Sequence, residues 1–509
     1  MKAGRVVYRC LVLFGLSYDP VVHAQDLAST SSEASSPLLL KTSDAAIQQA
    51  FDWAKTQALA YVEPGGDPVG DWYEAALPGR HAFCMRDVSH QTMGAYALGL
   101  APRNRNMLRH FAESISDSRD WAGFWEIDRD GGPSTADYRS DDDFWYNLPA
   151  NFDVMSAALR MYQWTGDRTY IDEPVFTSFY ERTVSDYPNR WYLEPPVFST
   201  RDRIMNRRLS EGAFVQARGI PSYTEGQQDF VLGMDLLAAE YRAFRLMASL
   251  TRSHEEYKAA GTKYDLRAQA IQDFIESKAW DPSQHHFFGF LRSDHSFFGE
   301  GNAFILYFGA AKDPIKIQGA LAAIEEEIGE KAPNIEEQSY FPEILYKYGA
   351  AEAAYDQILD LSRIDRERRD YPEVSFALVG AIVTGMMGVD VVPPVRPEPR
   401  HALRALTVVR TRSQLSSRSR WVELDYLPVR DNVIDIRHDG STSSALTNVS
   451  GPPLVWRATF DGREHFLMVD GRKRASVVTT DDQHRATTSI SILVAPNSQR
   501  IVRTVGAGR

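Results

Sequence analysis

Apolar residues recur every three or four positions from about Asp44 to Val392, the spacing that gives a helix one buried stripe. The segment 228–250 shows it most plainly, with Phe230, Met234, Leu237, Tyr241 and Phe244 stepping by four and three. The segment 44–62 repeats the pattern through Ile47, Phe51, Ala54, Ala58 and Tyr61, with Ser43 as its expected cap. In order, the pattern predicts twelve helices: 44–62, 87–100, 103–116, 149–165, 168–186, 228–250, 256–278, 297–310, 314–327, 338–348, 350–361 and 373–388. Links after the second, fourth, sixth, eighth and tenth are tight and carry breakers such as Pro102, Gly166-Asp167, Pro314 and Gly349. Links before the even-numbered helices are mostly long: 63–86, 117–148, 187–227, 281–296, 329–337 and 362–372. Loops of that length inside a compact domain usually serve function. If helices alternate outer and inner around a ring, every long loop falls on one face, at the N-termini of the inner helices. The expected architecture is mainly α, an (α/α)6 toroid of six helical hairpins around a central cavity.

From about His401 the period changes to two. Segments 421–426, 433–437, 454–460, 465–469 and 488–494 alternate between turns rich in Asp-Gly and Gly-Pro. They predict a C-terminal β-sandwich-like domain. The expected organisation is a signal peptide over 1–24, a linker over 25–40, the helical domain over 41–392, a Pro-rich linker over 393–400 and the β-domain over 401–505.

The N-terminus carries the export pattern. Lys2 and Arg5 precede the apolar run 10–16, and Val22-His23-Ala24 ends it with small residues at the cleavage positions. Export to the periplasm or the extracellular space is therefore expected. No apolar run is long enough to span a bilayer, so membrane insertion is not expected. Removal of Cys10 with the signal leaves Cys84 alone, which excludes a disulfide framework. A net charge of −12 argues against nucleic acid and anionic lipid as partners. Asp128-Arg129-Asp130-Gly131 has Arg where a calcium loop needs its late Glu, His285, His286 and His295 lack companions for zinc, and no dinucleotide or phosphate-loop fingerprint opens a helix. Neither metal nor cofactor is expected.

The chemistry lies in the long loops, which are acidic and aromatic: 81–87 (HAFCMRD), 141–147 (DDDFWYN), 223–230 (YTEGQQDF), 298–302 (FGEGN), 335–340 (IEEQSY) and 369–375 (RDYPEVS). Glycoside hydrolysis needs a protonated carboxyl for the leaving oxygen and an ionised one opposite it, which opposed hairpins of a ring can supply. Acidic residues also favour helix N-termini for capping alone. Ten Trp, 23 Tyr and 25 Phe suit flat sugar faces and an ordinary core equally well.

The segment 221–247, with its acidic loop running into Asp235-Leu236-Leu237-Ala238-Ala239, resembles the acid-bearing segment of the six-hairpin glycosidases. That superfamily includes trehalases, family 63 α-glucosidases and α-L-rhamnosidases. Tyr371-Pro372-Glu373-Val374-Ser375 and the following 380–385 are similar to its last hairpin, and 433–440 and 448–456 to its C-terminal modules. The resemblance implies Glu225 as general acid, with Asp229 as its rival, and Glu373 as general base ionising readily at a helix N-terminus. It also implies Arg86 and Asp87 as grips on sugar hydroxyls. From the same loops Asp143, Trp145, Tyr146, Tyr223 and Glu337 are expected to contact substrate. The expected function is an inverting, exo-acting glycoside hydrolase on oligosaccharides or glycosides. A polysaccharide lyase, using Tyr223, His81 and Arg86, and a non-catalytic carbohydrate-binding protein are the alternatives.

If the export reading holds, protein recovered from a secreting host begins near Gln25 and titrates one thiol, Cys84. An intact mass retaining 1–24 would refute it.

Overall fold

The computed structural model describes residues 34–198, 212–214, 217–225, 230–252, 258–328, 334–392, 406–481 and 485–506. The expected signal peptide and the Pro-rich linker 393–400 lie outside the described residues. Among the latter, twelve helices have seven residues or more: α1 (Ala45–Ala60), α2 (Met85–Ala97), α3 (Ala101–Ser114), α4 (Pro149–Thr165), α5 (Pro174–Val184), α6 (Met234–Arg252), α7 (Lys258–Lys278), α8 (Asn302–Phe308), α9 (Pro314–Glu327), α10 (Phe341–Lys347), α11 (Ala351–Ser362) and α12 (Pro372–Ala381).

Composition sorts them into two kinds. Helix α12 is buried along its whole length, and α2 is buried at every position but Arg86. Helix α3 buries only the stripe Asn104, Met107, Leu108, Phe111 and Ala112, leaving its charged residues in water. The even-numbered helices pack in sequence, α2 on α4, α4 on α6, α6 on α8, α8 on α10, α10 on α12, and α12 back on α2. Odd-numbered helices lean on them from outside: α3 on α2, α5 on α4, α7 on α6, α9 on α8, α11 on α10, and α1 on α12 and α11. The tight links have local causes. Gly166 and Gly309 end α4 and α8 at φ 70° and 76°, the left-handed conformation that lets a helix stop in one residue. Pro314 then starts α9 in a first-turn position that needs no amide proton.

Three local expectations change. Asp44, rather than Ser43, caps α1 and accepts from the amide of Ala46 at 3.0 Å, because the Ser43 hydroxyl instead accepts from the amide of Arg420 at 2.8 Å. The helix expected from 228 begins at Met234. Phe230–Gly233 is a strand paired with His286–Arg292, since its aromatic and β-branched residues find an extended partner there. The helix expected from 297 begins at Asn302, after strand Phe297–Glu300 pairs with the same His286–Arg292.

Helices hold 43% of the residues and strands 26%, so the protein mixes both rather than being mainly α. One sheet runs in the order Leu39–Thr42, Trp421–Val429, Asn432–Asp439, Ser443–Ser450, Ser498–Thr504, Phe466–Val469, Arg472–Ala475. A second runs Asp390–Val392, Val408–Arg412, Leu454–Asp461, Ala486–Val494, Val477–Thr480. Alternate residues such as Val422, Leu424, Ile434, Ile436 and Trp456 are fully buried. These sheets meet the C-terminal ends of the inner helices: the amide of Arg430 donates to the Trp164 carbonyl at 3.0 Å, and buried His438 Nε2 lies 3.0 Å from the Met387 carbonyl. The opposite, N-terminal ends are left to the long loops.

Helices α2 and α12 approach backbone to backbone. A Cβ added to Gly94 would stand 2.0 Å from the carbonyl oxygen of Phe376. Gly94→Ala should therefore destabilise the protein by about 1–3 kcal/mol or more, through overpacking, measured as a fall in unfolding temperature. Wild-type stability in that variant would contradict the packing described.

Candidate active site

The site grows from the first turns of α2 and α12. Strand Ala82–Cys84 pairs with Glu126–Asp128 and delivers the chain to Met85, whose amide donates to the Trp125 carbonyl at 3.0 Å. That fixes Arg86 and Asp87 at the head of α2. Pro372 opens α12 and places Glu373 in its first turn. A short helix, Ile335–Gln338, capped by Asn334, presents Glu336 from a third direction. Arg86 joins them: Nη2 donates to Glu336 Oε2 at 2.6 Å and Nε to Asp87 Oδ1 at 3.2 Å, while its guanidinium stands 5.9 Å above the Tyr223 ring. Glu225, two residues beyond Tyr223, shares the fields of Arg86 and Glu336, and Trp145, whose Nε1 donates to Asn147 at 2.8 Å, lies close to it. The sequence-expected Arg86, Asp87, Trp145, Tyr223, Glu225 and Glu373 thus come together, at the N-terminal ends of the inner helices.

Arg86 lies among these carboxyls, and three of them, Asp87, Glu225 and Glu373, are raised above the usual carboxylate range. Burial, opposed by Arg86 and reinforced by Glu336, pushes Asp87 up to about 7. Burial first, then the charges of Asp87 and Glu336, push Glu373 well above the usual carboxylate range. The N-terminal turn of α12 does not offset this, contrary to the ready ionisation expected from sequence. Burial also raises Glu225, while the positive charge of Arg86 acts against it.

Several members went unread in the sequence. Glu336 is one. Asp153, buried on α4, accepts from the Tyr223 hydroxyl at 2.9 Å and is pushed up to about 7 by burial. Arg80 donates to Glu126 at 2.8 Å and to Asp137 at 3.4 Å. Burial and the Glu126 charge push Asp137 up to about 8, within the field of Glu225. A carboxylate in an otherwise apolar helical stretch was the available signal for Asp153. Asp137 and Glu126 sat in the long loop 117–148 with none.

Other expected contacts lie elsewhere. Asp143 accepts from the amides of Ala213 at 2.9 Å and Phe214 at 2.7 Å, pinning one loop to another. Tyr146 is fully buried and donates to Asn151, between Trp125 and Phe144. Glu337 turns away from Arg86 toward Asp235 and Glu300, where burial and those charges raise it to about 7. Successive helical residues point about 100° apart, so of the two neighbours only Glu336 can reach Arg86. Asp229 lies outside the described residues. Among the described residues no group of three or more His, Cys, Asp or Glu is placed to hold a metal ion, and no helix is long and apolar enough to cross a membrane.

Asp153 has a value near 7 in the folded chain against about 3.9 when unfolded. A raised carboxyl stabilises the fold fully below about pH 4, and that stabilisation is lost as pH rises through about 7. Unfolding temperature should drop between pH 5 and pH 8, and Asp153→Asn should shrink that drop. An unchanged pH slope in the variant would rule out Asp153 as a source.

No protein-family model and no curated protein matches the chain. Solved structures do. The α-L-rhamnosidase of Dictyoglumus thermophilum superposes with a TM-score of 0.57 at 12% identity, covering 92% of this chain and 51% of that one. The α-L-rhamnosidase of Aspergillus terreus gives 0.54 at 12%, covering 91% and 51%. The family 78 rhamnosidase of a Bacillus species gives 0.53 at 12%, covering 83% and 41%. The chain spans about half the length of these structures or less. At such identity the likeness is one of fold alone, and the chain shares the fold of these α-L-rhamnosidase structures.

Proposed function

We propose that the protein is a glycoside hydrolase, inverting and exo-acting on oligosaccharides or glycosides. The carrying observation is the set of carboxyls around Arg86, gathered from α2, α12 and two loops at one end of the inner helices. In this reading residues 41–392 form an (α/α)6 toroid, supported by the closed series of packed even-numbered helices. Residues 401–505 form a β-domain behind it. The basic, apolar and small-residue succession of 1–24 supports work outside the cytoplasm.

Glu225 and Glu373 are the acid–base pair. One gives a proton to the glycosidic oxygen as the bond to the anomeric carbon breaks. The other takes a proton from water, whose oxygen attacks that carbon from the opposite face, with the two carboxyls roughly 6.5–9.5 Å apart to admit it. Deep burial among like charges supports Glu373 as the proton donor. Partial exposure and the neighbouring Arg86 support Glu225 as the base. That order reverses the one implied by resemblance. A lyase acting on uronates is less well served, because the carboxyls outnumber Arg80 and Arg86 and would repel an anionic substrate.

The test is a panel of aryl glycosides and matching unactivated glycosides, with product anomers followed by NMR. On the unactivated glycosides, Glu225→Gln and Glu373→Gln should each lower kcat by about 10²-fold or more. Glu373→Gln should spare substrates with good leaving groups, whereas Glu225→Gln should impair both kinds equally. The opposite pattern restores Glu225 as the acid, and near-normal turnover of the unactivated glycosides removes the mutated residue from the pair.

A further inference from the structure

Near the carboxyls lies a buried hydroxyl that nothing among the described residues bonds. Tyr340, at the head of α10, is 2% exposed, and its Oη has no hydrogen-bond partner among the described residues. Its ring cannot swing to find one. The His90 ring stacks on one face at 3.5 Å and 11°, and Tyr307 and Phe304 press edge-on with centroids at 4.9 and 5.0 Å. Leaving a buried hydroxyl unpaired is unfavourable, so such a group is normally satisfied by something.

The surroundings say what. Tyr340 lies within electrostatic reach of Asp153 on α4 and of Arg86 and Asp87 on α2. Asp153 is held by the Tyr223 hydroxyl, and the Tyr223 ring meets Phe304 at 5.6 Å, so Tyr223, Phe304 and Tyr340 form one continuous aromatic wall. Phe304 is partly exposed, unlike the other two rings. A donor, an acceptor and flat apolar rings set together match a sugar ring, which offers hydroxyls at its edge and C–H groups on its face.

Resting on the hydrolase reading above, we propose that Tyr340 is a specificity-determining residue whose O–H donates to one ring hydroxyl of the terminal sugar, that hydroxyl in turn donating to Asp153. The unit recognised is a neutral sugar carrying a free hydroxyl at that ring position. A site built to bond a hydroxyl discriminates strongly against an analogue lacking it, because its own polar groups are then left unpaired. The rival occupant is a single buried water, which would give Tyr340 no part in recognition.

The experiment compares wild type and Tyr340→Phe on an aryl glycoside that wild type hydrolyses and on its monodeoxy analogues, with unfolding temperature measured alongside. Wild type should lose about 10–100-fold in kcat/KM on one deoxy analogue. Tyr340→Phe should lose a similar factor on the parent and nothing further on that analogue, with unfolding temperature unchanged or raised. Wild-type kcat/KM on the parent in the variant overturns the proposal. So does an equal additional loss on every analogue, which marks a structural role. If Tyr340→Phe does not fold, Asp153→Asn must erase discrimination against the same analogue, and discrimination kept in full overturns the proposal too. Failure of wild type to hydrolyse any glycoside defeats the hydrolase reading itself, whereas hydrolysis with an indifferent Tyr340 defeats only this inference.

Discussion

The close approach of α2 and α12 is the constraint on which the site depends. Packed helices usually stand about 8–10 Å apart, at a distance set by the side chains between them. At Gly94 there is none, and the backbone of α2 rests against Phe376 and Gly380 of α12. Asp87 lies seven residues before Gly94, and Glu373 seven before Gly380, which is two helical turns in each case. Two helices in contact at the glycines therefore hold those two carboxyls side by side, although 286 residues separate them in the chain (373 − 87). The same contact joins the last inner helix to the first, so the closure of the helical series and the assembly of the acidic group have one cause.

What that proximity creates is an electrostatic excess. Burying a carboxylate is strongly unfavourable unless it is paired, and Arg86 directly pairs Glu336 and Asp87 while Glu373 and Glu225 only share its field. A purely structural network would be expected to balance its charges. Here the excess is retained, and burial with like charge raises Asp87, Glu225 and Glu373 above the usual carboxylate range. The secondary structure around it serves the same end. Short strands in the long loops, such as Ala82–Cys84 with Glu126–Asp128, give rigid ladders to segments that would otherwise have to be ordered by side chains alone. The backbone that leads to Asp87 is held in this way.

Sequence by itself determined the helices and their alternation, because the 3.6-residue stripe and the glycine and proline breaks are local properties that survive without knowledge of the partner. It also located the end where the carboxyls gather, since long acidic and aromatic loops recur before every inner helix. Boundaries were less legible where a segment had a choice of partners. Phe230–Gly233 continues the apolar pattern of α6 yet is a strand, because His286–Arg292 lies alongside to pair with it. Only the tertiary structure chose Glu336 over Glu337, recruited Asp153 and Asp137, and turned Asp143 and Tyr146 to structural duty. Only it reversed the expected ease of ionisation at Glu373, for the helix-terminus effect is written in the sequence, whereas burial and neighbouring charge arise from residues hundreds of positions away. A local pattern fixes which element a residue belongs to; the direction a side chain faces, and the charge it can bear, depend on what folding brings up against it.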